Sequence, residues 1–301
     1  MKSWLVIECL LISLAVSAQI NIHEMCDTIQ VEGLRPGHSG LGFGSYRRFN
    51  GLNLSGVQQS CESNGINLAI SNENILSNGL LLDFNSLTYF VNGMSMSLLF
   101  SDHIKANGLN FASIFCRSDT VNGLSIGGFR NRATVSRGFS FSYMLTDIQG
   151  VKGFTGGIGL VLSDNVNGVE FGGLIGSVDR MNGMLISGLW ASSYNLRGVS
   201  IAPANTILGD VKGGQLGVAN VTYRLYGFQI GLFNRAKRSP FQLSLMPLVK
   251  TKESSGVQIG LFNMVDKLHG IQIGLINSAT NNKIFKLTPL INFNFKRSET
   301  E

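Results

Sequence analysis

Gly256-Val257-Gln258-Ile259-Gly260-Leu261-Phe262-Asn263 is followed, fourteen residues on, by Gly270-Ile271-Gln272-Ile273-Gly274-Leu275-Ile276-Asn277. The two octets agree in kind at every place: glycine, apolar, glutamine, apolar, glycine, two apolar residues, asparagine. Gly213 to Asn220 and Gly227 to Asn234 carry the same frame. Moving toward the N-terminus, the leading glycine recurs at Gly37, Gly51, Gly65, Gly79, Gly93, Gly108, Gly123, Gly138, Gly153, Gly168, Gly183 and Gly198, at intervals of 14 or 15. A fixed short period over most of a chain indicates an array of identical supersecondary units.

Within a unit, with the glycine as position 0, positions 1 and 3 are apolar (Ile66 and Leu68, Leu124 and Ile126, Phe139 and Phe141). Position 2 between them is polar (Asn67, Ser125, Ser140), and this period-two alternation marks a strand with one buried face. The second half of the unit is polar, with one apolar residue two places before the next glycine: Val91, Val121, Val166, Met181. In eight units asparagine precedes the glycine, and Asn-Gly favours positive φ in a tight turn. The chain therefore reads as all-β, with one principal strand in each of sixteen to eighteen units.

Two architectures accommodate the period: a β-solenoid with one unit per coil, and an antiparallel up-and-down barrel of the outer-membrane type. A membrane-crossing strand needs about 9–11 residues. Extending the short alternating segment that far would bring in Arg130, Arg132, Asp164, Asp179, Arg180 or Asp266. The asparagine at position 7 (Asn205, Asn220, Asn234, Asn263, Asn277) shares the parity of the apolar positions and would face lipid in a barrel. In a coil it turns inward at a corner and bonds its neighbours above and below. The solenoid is the expected fold and the barrel its alternative.

The composition suits neither disorder nor collagen. Charged residues make up 14% of 301, there are 37 glycines without a Gly-X-Y period, and only five prolines. Met1-Lys2-Ser3, an apolar run from Trp4 to Val16 and Ser17-Ala18 form a secretory signal with cleavage expected after Ala18. The expected organisation is a signal peptide over 1–18, an N-terminal cap over 19–36, the array over 37–284, and a C-terminal cap with a charged tail over 285–301. Phe241 to Pro247 breaks the array internally and suggests a kink.

Chemistry is sparse. His23, His38, His103 and His269 occupy unlike repeat positions, and no nucleophile, zinc or phosphate-loop motif occurs. Cys26, Cys61 and Cys116, an odd set at wide spacing, form no disulfide framework and read as small buried hydrophobes, with one bridge between two of them open. The acids before the glycines (Asp102, Asp119, Asp147, Asp164, Asp179, Asp210, Asp266) offer about one carboxylate per coil. That is too few for calcium, which takes six to eight oxygens, and Asx-turns account for them. No catalytic residue, metal or cofactor is expected. A carbohydrate-active solenoid would need paired acids on an exposed strand face, for which only Glu170 and Asp83 offer themselves.

The net charge is +6, with clusters at Arg47-Arg48, Arg130/Arg132/Arg137 and Arg235/Lys237/Arg238. Stacked coils would gather these on one basic-rich face suited to an anionic envelope polymer or another surface protein. Nucleic acid is not an expected partner for an exported chain without interleaved aromatics. The units over residues 213–277, marked by Gly213, Asn220, Gly227, Asn234, Gly256, Asn263, Gly270 and Asn277, resemble those of bacterial surface-repeat proteins of spirochaetes and the Bacteroidetes. That resemblance implies a cell-envelope or surface location and carries no catalytic residues. The expected function is a non-enzymatic exported repeat protein acting as a structural or interaction surface, with an integral outer-membrane barrel (pore or anchor) as the alternative.

Overall fold

The computed structural model describes Arg35, residues 37–282 and residues 286–295. The signal segment and, apart from Arg35, the 19–36 cap lie outside the described residues, as do Cys26 and His23. Thirteen strands form one sheet in chain order: β1 (His38–Gly42), β2 (Arg48–Ala112), β3 (Phe115–Gly127), β4 (Arg130–Ser142), β5 (Leu145–Gly157), β6 (Leu160–Gly172), β7 (Ile175–Ser187), β8 (Trp190–Ile201), β9 (Ala204–Leu216), β10 (Ala219–Ile259), β11 (Phe262–Leu268), β12 (Gly270–Ala279) and β13 (Leu287–Asn294).

Every consecutive pair from β1 to β12 is parallel, and between β2 and β10 a residue meets its equivalent one unit away, as in Gly123↔Gly138 and Leu124↔Phe139. The chain is thus a β-solenoid of about fifteen stacked turns. The barrel alternative is overturned, because an up-and-down barrel requires antiparallel neighbours. At about 4.8 Å per turn the rod is roughly 70 Å long. β2 and β10 each run through several turns, their corners remaining extended.

The glycine column makes one corner. From Gly51 to Gly227 its φ lies between +119° and +152°, a region that L side chains rarely adopt. A Cβ on Gly123 would also run into the carbonyl oxygen of Gly108 one turn below. The first turn is shorter than the period predicts: Gly40, rather than Gly37, stacks on Gly51. The opposite corner is a two-residue bend at Gly128-Phe129 and its equivalents.

The buried face is the polar one. Ser125, Ser140, Thr155, Glu170, Ser200, Gln215 and Gln229, all at position 2, are wholly enclosed, while the apolar residues at positions 1 and 3 face out. Burial of polar groups is tolerable only where they are paired, and the stacking supplies partners along the axis. The Gln229 amide donates to Gln215 Oε1 at 2.5 Å and that of Gln272 to Gln258 Oε1 at 2.9 Å. Apolar burial is confined mainly to the second half of the unit, where Val151, Val166, Met181, Leu196, Val211 and Leu225 form a continuous spine two places before the glycines. Each contributes about 1.5–3 kcal/mol on enclosure.

The break at 241–247 leaves the backbone as strand within β10, and the one-turn register is present beyond it at Val249↔Asn263. β13 alone runs antiparallel, against β12, with Ile271↔Phe293 and Ile273↔Ile291 paired.

Candidate interaction surfaces

The residue types at each repeat position divide the outside of the rod lengthwise. One half is apolar. Position 1 presents Leu109, Leu124, Phe139 and Phe154 in register, and position 3 presents Phe111, Ile126 and Phe141. The bend adds Phe129, Ile158 and Leu189, each half-exposed or more. Rings stack turn upon turn: Phe139 on Phe154 with centroids 4.6 Å apart and planes 7° from parallel, and Phe100 on Phe115 at 5.5 Å and 5°. Such pairs add about 0.5–1.5 kcal/mol beyond area burial. A monomer's largest exposed apolar patch is typically about 300–600 Å² and often functional. Here the apolar half extends from Leu52 to Ile276 along the array.

The other half carries the charges. Arg130 and Arg132 reach Asp147 at 3.0 and 3.7 Å, Arg117 reaches Asp102 at 3.8 Å, Arg224 reaches Asp210 at 2.7 Å and Arg238 reaches Glu253 at 2.7 Å. Lys237 Nζ donates to the Tyr223 hydroxyl at 2.6 Å. The clusters singled out from sequence are therefore largely engaged within the protein.

The residue immediately before each glycine behaves differently along the rod. From Asn50 to Asn122 this column is a hydrogen-bonded asparagine ladder, each amide donating to the asparagine one turn below at 2.7–2.9 Å. Beyond it the column reads Arg137, Lys152, Asn167, Asn182, Arg197, Lys212, again one residue per turn. Between this column and the one two places earlier runs a groove of about 600 Å³, lined by Arg180, Arg197 and Lys212 with the amides of Asn167, Asn182 and Asn195. Sequence reading placed Arg137 in a basic cluster and weighed Arg180 only against a membrane strand, and it missed Lys152, Arg197 and Lys212, which lie far apart along the chain. The available signal was substitution within the Asn-Gly turn: Arg137-Gly138, Lys152-Gly153, Arg197-Gly198 and Lys212-Gly213.

Of the repeat-defining residues the asparagines lie inside, while Gly213, Gly227 and Gly256 sit at a partly exposed corner. Asn220 donates to Asn234 Oδ1 at 2.8 Å and Asn263 to Asn277 Oδ1 at 2.7 Å. Gly213 stacks beneath Gly227, and a Cβ on Gly270 would meet the carbonyl oxygen of Gly256.

Glu170 and Asp83, the acids sought for a carbohydrate-active face, are not on the surface. Glu170 is wholly buried and Asp83 nearly so, because both occupy inward-pointing places on the strand. Burial pushes the Glu170 carboxyl up to about 8, only partly offset by the neighbouring Ser163 hydroxyl. Burial likewise raises Asp83, whose Oδ2 accepts from Asn72 at 2.8 Å. His103 is enclosed, with Nδ1 3.0 Å from the Thr88 carbonyl and Nε2 2.7 Å from Ser101 Oγ, and burial lowers it to about 4. His38 is exposed and His269 half-buried, so the histidines do not converge. Cys61 and Cys116 are both enclosed. No group of three or more metal-ligating side chains occurs among the described residues. Comparison of the chain with family models, with curated proteins and with solved structures finds no match.

Proposed function

We propose that this chain is a non-enzymatic, exported repeat protein of a bacterial cell envelope, acting as a structural or interaction surface. The observation that carries the proposal is the inverted solenoid, in which a hydrogen-bonded polar interior supports an apolar outer half along the array. A coil that spends its apolar side chains on the outside leaves them for something other than its own core. The secretory signal at 1–18 and the likeness of the 213–277 units to bacterial surface repeats support an envelope address. An amphipathic rod of this kind lies along a lipid or protein surface, as interfacial helices do with their apolar face inward.

Two measurements test the proposal. Expression of the whole chain in a bacterium, followed by fractionation and N-terminal sequencing, is expected to yield an envelope-associated product beginning at Gln19. Flotation of that product with phospholipid vesicles is expected to carry it to the lipid fraction. A cytosolic product with an intact Met1 would sink the envelope address, and a rod that ignores both vesicles and envelope material would sink the surface role.

A further inference from the structure

The charged half of the rod departs from its own pattern beyond Asn122. Six consecutive turns, from Asn50 to Asn122, fill the position before the glycine with asparagines that satisfy one another. The Asn182 amide still donates to Asn167 at 3.1 Å. On either side of that pair the ladder is replaced by like charges in direct register, Arg137 on Lys152 and Arg197 on Lys212. Like charges directly opposite on neighbouring strands are destabilising, and a self-satisfied alternative stands in the same column. Among the described residues none of these four side chains, nor Arg180 beside them, takes part in an ion pair. Asp210, the acid lining this groove, is bound to Arg224 at 2.7 Å. Asp164 and Asp179 stand one place outside the groove column of Asn165 and Arg180.

We propose that this groove binds a linear anionic polysaccharide running parallel to the solenoid axis. Arg180, Arg197 and Lys212 meet its charged groups, and the amides of Asn167, Asn182 and Asn195 meet its hydroxyls. The match is one of periodicity: the groove offers one or two polar groups per turn of about 4.8 Å, and a polymer of repeating sugar units presents its own groups at regular steps. The groove lining has no aromatic ring, whereas sequence-tolerant binding of single-stranded nucleic acid rests on base stacking. This site lies on the half of the rod opposite the apolar surface and stands independently of the envelope reading.

The test uses the full chain with polygalacturonate and heparin as carboxylated and sulfated probes, and with dextran and poly(dT) as controls. Both anionic glycans are expected to bind at low salt, with dextran inert and poly(dT) markedly weaker. The double variant Arg197→Asn/Lys212→Asn extends the asparagine ladder. It is expected to lose at least tenfold in affinity and to lower the salt dependence by about two counterions, one per cation removed, while its melting temperature rises. A control pair of exposed cations away from the groove, Lys105→Gln/Lys267→Gln, is expected to bind as the parent does. Undiminished binding in the ladder variant, equal loss in the control pair, or poly(dT) binding as tight as heparin would each overturn the proposal. Because vesicle flotation reads the apolar half, its outcome does not bear on this one.

Discussion

The Nδ2 of Asn205 donates to the Oδ1 of Asn220 at 2.8 Å, fifteen residues on in sequence and one turn along the rod. Asn220 in turn donates to Asn234 at 2.8 Å and to the Ile230 carbonyl at 3.0 Å. A single side chain therefore ties three turns together inside a space closed to water, where an unmet amide has no other partner. This explains how the solenoid holds a core with so few enclosed apolar side chains.

Replacing Asn220 by alanine removes the bonds from Asn205 and to Asn234 and the Ile230 carbonyl, although Asn205 keeps the Ala202 and Leu216 carbonyls and Ile230 keeps the Gly217 amide. Breaking one such buried link costs about 1–3 kcal/mol, and the variant is expected to lose stability in that range. The check is a urea titration, read as a lower midpoint at unchanged slope. A loss below about 1 kcal/mol would show that the ladder is incidental to stability.

Two glycines in neighbouring parts of the array should respond in opposite directions. Gly123→Ala meets the Gly108 carbonyl and a φ of +129°, and is expected to cost about 2 kcal/mol or more. Gly150→Ala meets the Thr134 carbonyl oxygen at 3.7 Å and Val135 Cγ2 at 4.0 Å, ordinary contacts, with no positive φ. It is expected to be neutral or to gain about 0.4–1 kcal/mol by restricting the unfolded chain. Thermal melts of the pair decide the matter.

Glu170 and His103 set opposing pH responses. The folded Glu170 carboxyl sits at about 8 against an ordinary 4.5, so the fold holds its proton more tightly than the unfolded chain does. Its contribution is fully present below pH 4.5 and is lost as pH rises toward 8, with a slope of about 1.4 kcal/mol per unit. Glu170→Gln is expected to abolish that decline and to stabilise the protein at pH 8. Urea midpoints of both forms from pH 4 to 9 test this, and parallel profiles would contradict it.

His103, held at about 4 against an ordinary 6.5, acts in the other direction. Its contribution is present above pH 6.5 and is lost as pH falls toward 4, because the unfolded chain takes up the proton first. In the Glu170→Gln background this acid limb is opposed only by the raised carboxyl of Asp83. Replacing His103 by glutamine there is expected to flatten it between pH 6.5 and 4.

The apolar half can be altered without touching the interior. Ile158 and Leu189 lie at the bends with half or more of their surface exposed. The pair Ile158→Glu/Leu189→Glu is expected to change stability by about 0.5 kcal/mol or less per site. It should sharply reduce vesicle flotation. Retained flotation would remove the apolar half from the proposed function.

Several features are legible from residues alone. The interval between Gly123 and Gly138, the Asn-Gly turns and the asparagine at Asn220 are local or periodic signals, and stacking identical units in register is the simplest way to satisfy them all. Alternation at Leu124-Ser125-Ile126 separates two faces of the strand, but it does not say which is enclosed. The usual preference for apolar interiors points the wrong way here, and the same ambiguity put Glu170 and Asp83 on the surface in the sequence reading when both are buried.

The sequence by itself thus determined the repeat, the strand content and the corners, because those follow from spacing and from the φ that glycine permits. Only the tertiary structure decided which side of the strand is the inside. A turn of fourteen or fifteen residues encloses a narrow space, and serine, asparagine and glutamine at Ser125, Asn220 and Gln229 find partners there only when the turns above and below are in place. The juxtaposition of Arg197 with Lys212 has the same origin: residues fifteen apart become neighbours only once the coil closes.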